Sequence, residues 1–313
     1  MKTVVIVGSK GQDGRLLRAL LAGEDARVIG LSRGAAQSSD GSWRQPVEIS
    51  DPAAILRLIM MTRPDEIYYL AAHHHSSEQQ QEPALELFRE SQNIHLTGPV
   101  NYLEALAQSG LPTRFFYAAS RLIYGTPKTA RLDESSPIDP EEIYGITKAA
   151  GLMACRYYRR SRGVFACAGI LFNHESSLRQ PQFLSRKIVL AARTLKAGGR
   201  INLKLGDLDA QSDWGYAPDY VEAMRRIMRH SEPEDFVVAT GELRCVRELV
   251  EAVFSRFGLD WHEHVSADPS ILTTRRLTAA GDASKLRHDT GWEPRATFDQ
   301  MVDGLLRMDI TEQ

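Results

Sequence analysis

The chain has 313 residues, enough for one large or two modest domains, with the 43% hydrophobic and 25% charged content usual for a globular protein. A formal net charge of −2 gives no electrostatic case for nucleic acid or an anionic membrane as partner, and no apolar run reaches bilayer-spanning length. Cys155, Cys167 and Cys245 are odd in number and lack metal-ligand or redox spacing, so they read as free thiols of a cytoplasmic protein, and the apolar strand pattern of the first residues leaves no room for a signal peptide.

Residues 3–7, Thr-Val-Val-Ile-Val, form a β-branched run of the kind buried in a parallel sheet. The turn Gly8-Ser9-Lys10-Gly11-Gln12-Asp13-Gly14 follows at once, and residues 15–21 continue as a helix. Strand, glycine turn, helix is the context in which a backbone takes a pyrophosphate. Gly8 and Gly11 let the chain turn and approach the phosphates, Gln12 and Asp13 lie in the same turn, and Gly14 lets helix pack on strand. A second strand over residues 27–31 ends in Ser32-Arg33. An acidic residue at this tip would hold the free 2′-hydroxyl of NAD. Arg33 suits a 2′-phosphate instead, so the expected cofactor is NADP(H); the plainer alternative is an ordinary surface arginine.

Residues 34–42 read as a Gly/Ser-rich loop. Glu48 and Ile49 end a short strand where such folds contact adenine, and Asp51 is the expected N-cap of a helix over 52–61. The next strand, over residues 65–72, brings Leu70, Ala71 and Ala72 to its carboxyl end and leads into His73-His74-His75. Three consecutive histidines do not converge on one centre, and no partner ligand pattern lies nearby, so no metal site is expected. The segment, His75 included, reads as a loop lining the nicotinamide or sugar site. One or two helices over 82–109 precede an apolar strand, residues 115–119, that ends in the hydroxyl of Ser120. A long helix over 144–160 then sets Tyr144 and Lys148 four apart, on one face. A lysine beside a tyrosine favours the phenolate, and Ser120 can share a hydrogen bond with the same substrate hydroxyl. That is a proton-transfer set for oxidising an alcohol or reducing a ketone. A lone Tyr-x-x-x-Lys would more simply be an exposed helix face.

A further apolar strand over 164–172 delivers Leu171 and leads into Asn173 and His174. Beyond it the alternation of strand and helix loosens. A helix is expected over 183–194, a short strand over 201–203, a helix over 219–228 led into by Trp214, a strand over 236–240, and a terminal helix after Gly291-Trp292-Glu293-Pro294. The expected fold is α/β, a Rossmann-type doubly wound parallel sheet with a smaller C-terminal substrate-binding lobe. Residues 1–168 would bind the cofactor, and residues 169–313 would mainly form the lobe, with 214–242 returning to the Rossmann domain.

Glycine turn, hydroxyl strand end, Tyr-x-x-x-Lys and Gly-Trp-Glu-Pro, in this order, resemble the extended short-chain dehydrogenase/reductases acting on nucleotide sugars. Within them Gly11-Gln12-Asp13-Gly14, the block Leu171-Phe172-Asn173-His174-Glu175-Ser176, Leu205-Gly206-Asp207-Leu208-Asp209 and Asp213-Trp214-Gly215 are similar to the GDP-mannose 4,6-dehydratases. The resemblance covers nearly the whole chain. It implies NADP(H), a GDP-sugar substrate and a homodimer built through a four-helix bundle. It also implies Ser120, Tyr144 and Lys148 as catalytic residues, Asn173 and Lys187 near the sugar-nucleotide phosphates, and Arg179 in the substrate loop. A late phosphate-binding arginine aligns with Arg275 or Arg276 only across a gap.

The chain departs from the pattern where it matters to chemistry. The dehydratases carry Thr-Ser-Glu-Leu-Tyr-Gly where this chain has Ser120-Arg121-Leu122-Ile123-Tyr124-Gly125. Leu122 thus replaces the glutamate that, in the family, takes the carbon-5 proton, and leucine cannot accept a proton. Losing such help costs roughly 10²–10⁴-fold. The expected activity is therefore a 4-ketoreductase or 4-epimerase. The alternatives are a dehydratase using a substitute base, drawn from His73 to His75, Glu141 or Glu142, and a non-catalytic GDP-sugar-binding paralogue.

Overall fold

The computed structural model describes residues 1–41, 43–74, 83–272 and 278–307. The first half runs β1 (Lys2–Val7), α1 (Gln12–Leu21), β2 (Ala26–Ser32), β3 (Ala35–Ser38), α2 (Pro52–Thr62), β4 (Glu66–Tyr69), α3 (Ala84–Gln92), α4 (Gly98–Ser109), β5 (Arg114–Ser120), β6 (Arg131–Leu132) and α5 (Ile143–Arg162). The second half runs β7 (Ala166–Leu171), β8 (Asn173–Glu175), α6 (Leu184–Lys196), β9 (Leu203–Leu205), β10 (Gln211–Tyr216), α7 (Ala217–Ile227), β11 (Asp235–Val238), β12 (Leu243–Cys245), α8 (Val246–Phe257), β13 (Val265–Ala267), β14 (Ala280–Gly281), α9 (Ser284–Thr290) and α10 (Phe298–Leu305).

Seven strands form the main sheet in the order β11-β7-β5-β4-β1-β2-β3, all neighbours parallel except the β2–β3 pair. The chain order reverses direction between β1 and β4, so a crevice opens beyond their carboxyl ends, where this topology binds ligands. The strands are buried on both faces, as the β-branched and aromatic runs require. One face carries Ile55, Leu58, Tyr102, Leu106 and Leu152 from α2, α4 and α5; the other carries Leu17 and Leu21 of α1, Tyr220 and Met224 of α7, and Leu286 of α9. A third core joins α6, α8 and α10 to β9, β10 and β13, around Ile188, Val250, Phe254 and Met301. No helix among the described residues is long and apolar enough to cross a membrane.

Several boundaries differ from expectation. Residues 35–38 are a strand rather than loop: they pair antiparallel with Ile29 to Ser32 across Gly34 at φ +65°, and Ser39 Oγ accepts the Val28 amide at 3.0 Å. The alanines and polar residues of that stretch carry no strand propensity, so tertiary pairing decides. Glu48 and Ile49 lie in no strand, and the strand expected at 201–203 is Leu203–Leu205. Trp214 is a buried residue of β10, and its helix starts at Ala217. The 168/169 boundary falls inside β7, whose pairing with β5 and β11 keeps it in the main sheet. Asp51 does cap α2, accepting the Ala54 amide at 3.0 Å.

Candidate active site

The crevice holds a cavity of about 640 Å³. Its floor is the glycine turn. Gly8 has φ +91°, and a Cβ there would meet the Ala71 nitrogen at 2.7 Å, so the β1 and β4 exits touch backbone to backbone. Gly11 precedes α1 without a side-chain cap, which leaves the first-turn amides of a ten-residue helix without a side-chain acceptor beside the cavity. Gly8, Gly11, Gln12, Asp13 and Gly14 line this end, with Leu70, Ala71 and Ala72 opposite and Arg33, Glu48 and Ile49 toward the β2 tip. A diphosphate fits such donors.

The turn is tied to the strand end across the crevice. His174 Nδ1 bonds the Phe172 carbonyl at 2.7 Å, and its Nε2 lies 3.0 and 3.1 Å from the Asp13 carboxylate oxygens. Both partners only accept, so both ring nitrogens donate and the imidazolium is the form that fits. Burial opposes that charge, but Asp13 and the carbonyl outweigh it and raise the His174 pKa; burial likewise resists the Asp13 carboxylate, and His174 and Gln12 still hold it below the usual range. Gln12 Nε2 donates to the His174 carbonyl at 3.1 Å, Ser176 Oγ donates to Gln12 Oε1 at 2.8 Å, and Tyr220 stacks on the His174 ring at 4.6 Å.

The opposite wall carries the proton-transfer residues. Ser120 ends β5, Tyr144 and Lys148 come from the first turns of α5, and all three line the cavity. Gly145 lets α5 approach this closely, since a Cβ there would meet the Leu122 carbonyl at 2.4 Å. Lys148 is 1% exposed, donates to the Ala118 carbonyl at 2.7 Å, and lies 5.7 Å from the Tyr144 ring centre. The net electrostatics differ from the expectation of a phenolate. Burial pushes the Tyr144 phenol up to about 12, against the lowering effects of Arg179 and the Ser120 hydroxyl. Burial also pushes Lys148 down to about 7. Both shifts follow from burial, which disfavours the charged form of either group.

His95, fully buried in a π-helical turn (Asn93–Thr97) between α3 and α4, packs edge-on to Tyr144 with ring centres 5.0 Å apart. Its Nε2 accepts the His73 amide at 2.9 Å, so its Nδ1 carries the proton and faces Thr147 Oγ1 at 2.9 Å. Burial holds it well below the usual histidine pKa, in keeping with a neutral ring. His74 lines the cavity between Tyr144 and Phe183, with ring centres 4.5 and 5.4 Å away.

Leu171, Asn173 and His174 line the cavity, as does Arg179, which pairs with Glu175 at 3.4 Å and stacks on Phe183 at 4.1 Å. Asn173 Nδ2 donates to Ser212 Oγ at 2.7 Å. Lys187 is not among the lining residues: its Nζ donates to the Lys204 carbonyl at 2.9 Å, because it projects from α6 beside, and not on, the face packed against the lobe. His75 and Arg276, with Arg275, lie outside the described residues. The sequence reading missed Lys10, Ser32, Glu90, Asn93 and Phe183 in the wall. Lys10 and Ser32 were signalled by their place beside the glycine turn and the β2 tip. Asn93 arrives through the π-helical turn, which leaves no periodic signature, and Glu90 comes from the last turn of α3 just before it.

Across residues 5–305 the chain matches the family model described as GDP-mannose 4,6 dehydratase. The chain belongs to the GDP-mannose 4,6-dehydratase family. Its relative GDP-mannose 4,6 dehydratase 2 of Arabidopsis thaliana is 32% identical over 330 residues, spanning 99% of this chain and 87% of that protein. Among solved structures, RMD from Pseudomonas aeruginosa complexed with NADPH superposes with a TM-score of 0.80 at 23% identity, covering 98% of each chain. A dTDP-glucose 4,6-dehydratase from Bacillus anthracis in complex with NAD gives 0.82 at 17% identity, covering 98% of this chain and 96% of the other. These two show a shared Rossmann-type fold. Family membership makes the chain an enzyme of the nucleotide-sugar dehydratase–epimerase class of short-chain dehydrogenase/reductases, as the sequence motifs implied.

Proposed function

We propose that the protein is an NADP(H)-dependent oxidoreductase acting at carbon 4 of a GDP-mannose-type sugar, as a 4-ketoreductase or a 4-epimerase. The observation that carries this reading is Leu122. It stands where the family resemblance expects a carboxylate, within two residues of a serine that lines the cavity with Tyr144 and Lys148. The glycine turn, the open first turn of α1, and Leu70 to Ala72 would hold a nicotinamide dinucleotide, with Arg33 at the β2 tip favouring the phosphorylated form; Asn173 and Arg179 would face the substrate's phosphates. Bound there, the cofactor supplies or accepts the hydride.

The chain itself handles the proton. Tyr144, whose phenol burial pushes up to about 12, is protonated at neutral pH and suited to donate to a carbon-4 carbonyl oxygen. Ser120 shares a hydrogen bond with the same oxygen, and Lys148, anchored on Ala118, holds the face opposite the Tyr144 ring. Lobe residues from 169 onward would hold the sugar nucleotide while residues 1–168 hold the cofactor, in a cytoplasmic homodimer.

A second reading rests on His74. Of the described candidates for a substitute base, His74 alone lines the cavity, whereas Glu141 accepts from Thr126 at 2.8 Å on the exposed side of the α5 start. A 4,6-dehydratase using His74 therefore stays as the alternative. The test is to incubate the protein with GDP-mannose and NADP in deuterated water and read the product by NMR. An epimer without solvent deuterium, or no turnover followed by NADPH consumption on adding a 4-keto-6-deoxy sugar, supports the proposal. A 4-keto-6-deoxy product with deuterium at carbon 5 overturns it in favour of the dehydratase.

A further inference from the structure

The π-helical turn between α3 and α4 faces the first turns of α5, and its backbone is held from two sides. A π turn interrupts the regular helical ladder, and two buried phenols bond its carbonyls. Tyr69 Oη donates to the Ile94 carbonyl at 2.7 Å, and Tyr117 Oη donates to the His95 carbonyl at 2.9 Å. From the other side α5 closes on the turn at Gly151, where a Cβ would collide with the His95 carbonyl. So held, the turn sets the His95 ring edge-on to Tyr144.

That ring uses its two nitrogens on two different elements. Nε2 accepts the backbone amide of His73, just beyond the carboxyl end of β4, which places the proton on Nδ1 and makes it the donor to Thr147 Oγ1 at 2.9 Å. The Thr147 hydroxyl passes its own hydrogen to the Ile143 carbonyl at 2.8 Å or the Tyr144 carbonyl at 3.1 Å. The bond therefore closes on the turn of α5 that carries Tyr144. One neutral, fully buried imidazole ties the β4 exit to the start of α5, and with both bonds made inside the protein it has one orientation. His74 follows directly on the tied amide, so the phenol meets two imidazoles, His95 at 5.0 Å and His74 at 4.5 Å between ring centres. His95 itself does not line the cavity.

We propose that His95 is a positioning residue for Tyr144, acting through Thr147 and the His73 amide to set the plane and depth of the phenol. The inference rests on the reading that Tyr144 hands its proton to a sugar carbonyl oxygen. That transfer needs the phenol oxygen within hydrogen-bond reach of its target, and a ring held in one orientation keeps it there.

The test uses the full chain with Thr147→Val, which keeps the shape and removes the acceptor, and Thr147→Ser, which keeps the acceptor. Melting curves confirm that each variant folds. With NADPH and a 4-keto-6-deoxy GDP-sugar, Thr147→Val should lower kcat by about 10–100-fold, the cost of misplacing a reacting group by about an ångström, with KM for both ligands unchanged. Thr147→Ser should restore kcat. Spectra of chain labelled with carbon-13 at tyrosine Cζ, in which Tyr144→Phe identifies the Tyr144 signal, read the phenol without any turnover; that signal should move in Thr147→Val and stay in Thr147→Ser. An unchanged kcat in Thr147→Val, a loss carried by KM, or equal losses in the two variants overturns the positioning role. A signal that moves only in Thr147→Val, in a chain whose unaltered form turns over neither GDP-mannose nor the keto sugar, supports the placement and removes the reading of function.

Discussion

At the scale of single residues, the site is governed by burial more than by charge pairing. Tyr144 and Lys148 sit as the four-residue spacing requires, but the desolvation that makes the wall of the cavity dry also keeps the phenol protonated and the lysine only partly charged. Replacing Tyr144 with Phe removes the proton donor and little volume. It should lower turnover by about 10²–10⁴-fold while ligand binding, followed by calorimetry, is kept. Unchanged turnover would transfer the proton to another group. Lys148 makes a second prediction, on stability. Its folded pKa near 7 lies below its ordinary value of 10.5, so between those limits the folded state binds fewer protons than the unfolded one, and stability rises with pH. Lys148→Met removes that dependence. The variant should be the more stable protein at pH 7, and its advantage should shrink by up to about 1.4 kcal/mol per pH unit toward pH 10. Urea melts at pH 7 and 9 check this; an advantage that does not narrow would mean that Lys148 stays charged. The spacing was legible in the sequence, whereas the direction of both shifts was not, because burial is a property of the packed molecule.

At the scale of elements, the alternation of apolar strands with helices was readable up to β7, since strands buried on both faces leave continuous β-branched and aromatic runs. The edge was not. β3, with its Ala-Ala-Gln-Ser sequence, becomes a strand only because β2 presents an unpaired edge, and β12 and α8 went unread because the lobe mixes short strands with helices of no fixed order. The same limit applies to the site. Gln12, Asp13 and His174 were each placed by motif, but their mutual bonding across some 160 residues appears only once β8 folds beside α1. This clasp gives a pH prediction. The raised His174 pKa contributes stability that is complete below its unfolded value, about 6.5, and is lost as pH rises through the folded one. The depressed Asp13 contributes above about 3.9 and is lost as pH falls through its folded value. His174→Asn should therefore destabilise the protein by about 1–3 kcal/mol near pH 5.5, and the gap should close as pH rises beyond the His174 titration. Thermal melts across pH 5 to 9 measure it, and a gap independent of pH would show that the pair is not ionised.

At the scale of the whole molecule, the α3–α5 layer carries an exposed apolar surface. Ile146, Met153 and Tyr157 stand 40%, 44% and 55% exposed at spacings of seven and four, a stripe down one face of α5, and Leu85 and Phe88 stand 61% and 36% exposed on α3 packed beside it. A helix that already buries Leu152, Cys155 and Tyr158 against the sheet has no need of a second apolar face unless another surface covers it. We propose that a second copy does so, bringing α3 and α5 of each protomer into a four-helix bundle. The interface is self-complementary about a two-fold axis, so one substitution acts twice. Met153→Lys with Tyr157→Lys places four ammonium groups in that seam, two from each chain. Sedimentation should then show a monomer where the unaltered chain is a dimer, with circular dichroism unchanged because neither side chain enters the core. Tyr144 and Lys148 lie on the same helix but on its inward face, so cofactor affinity should survive the split. A chain that is monomeric before substitution would leave the stripe without this explanation.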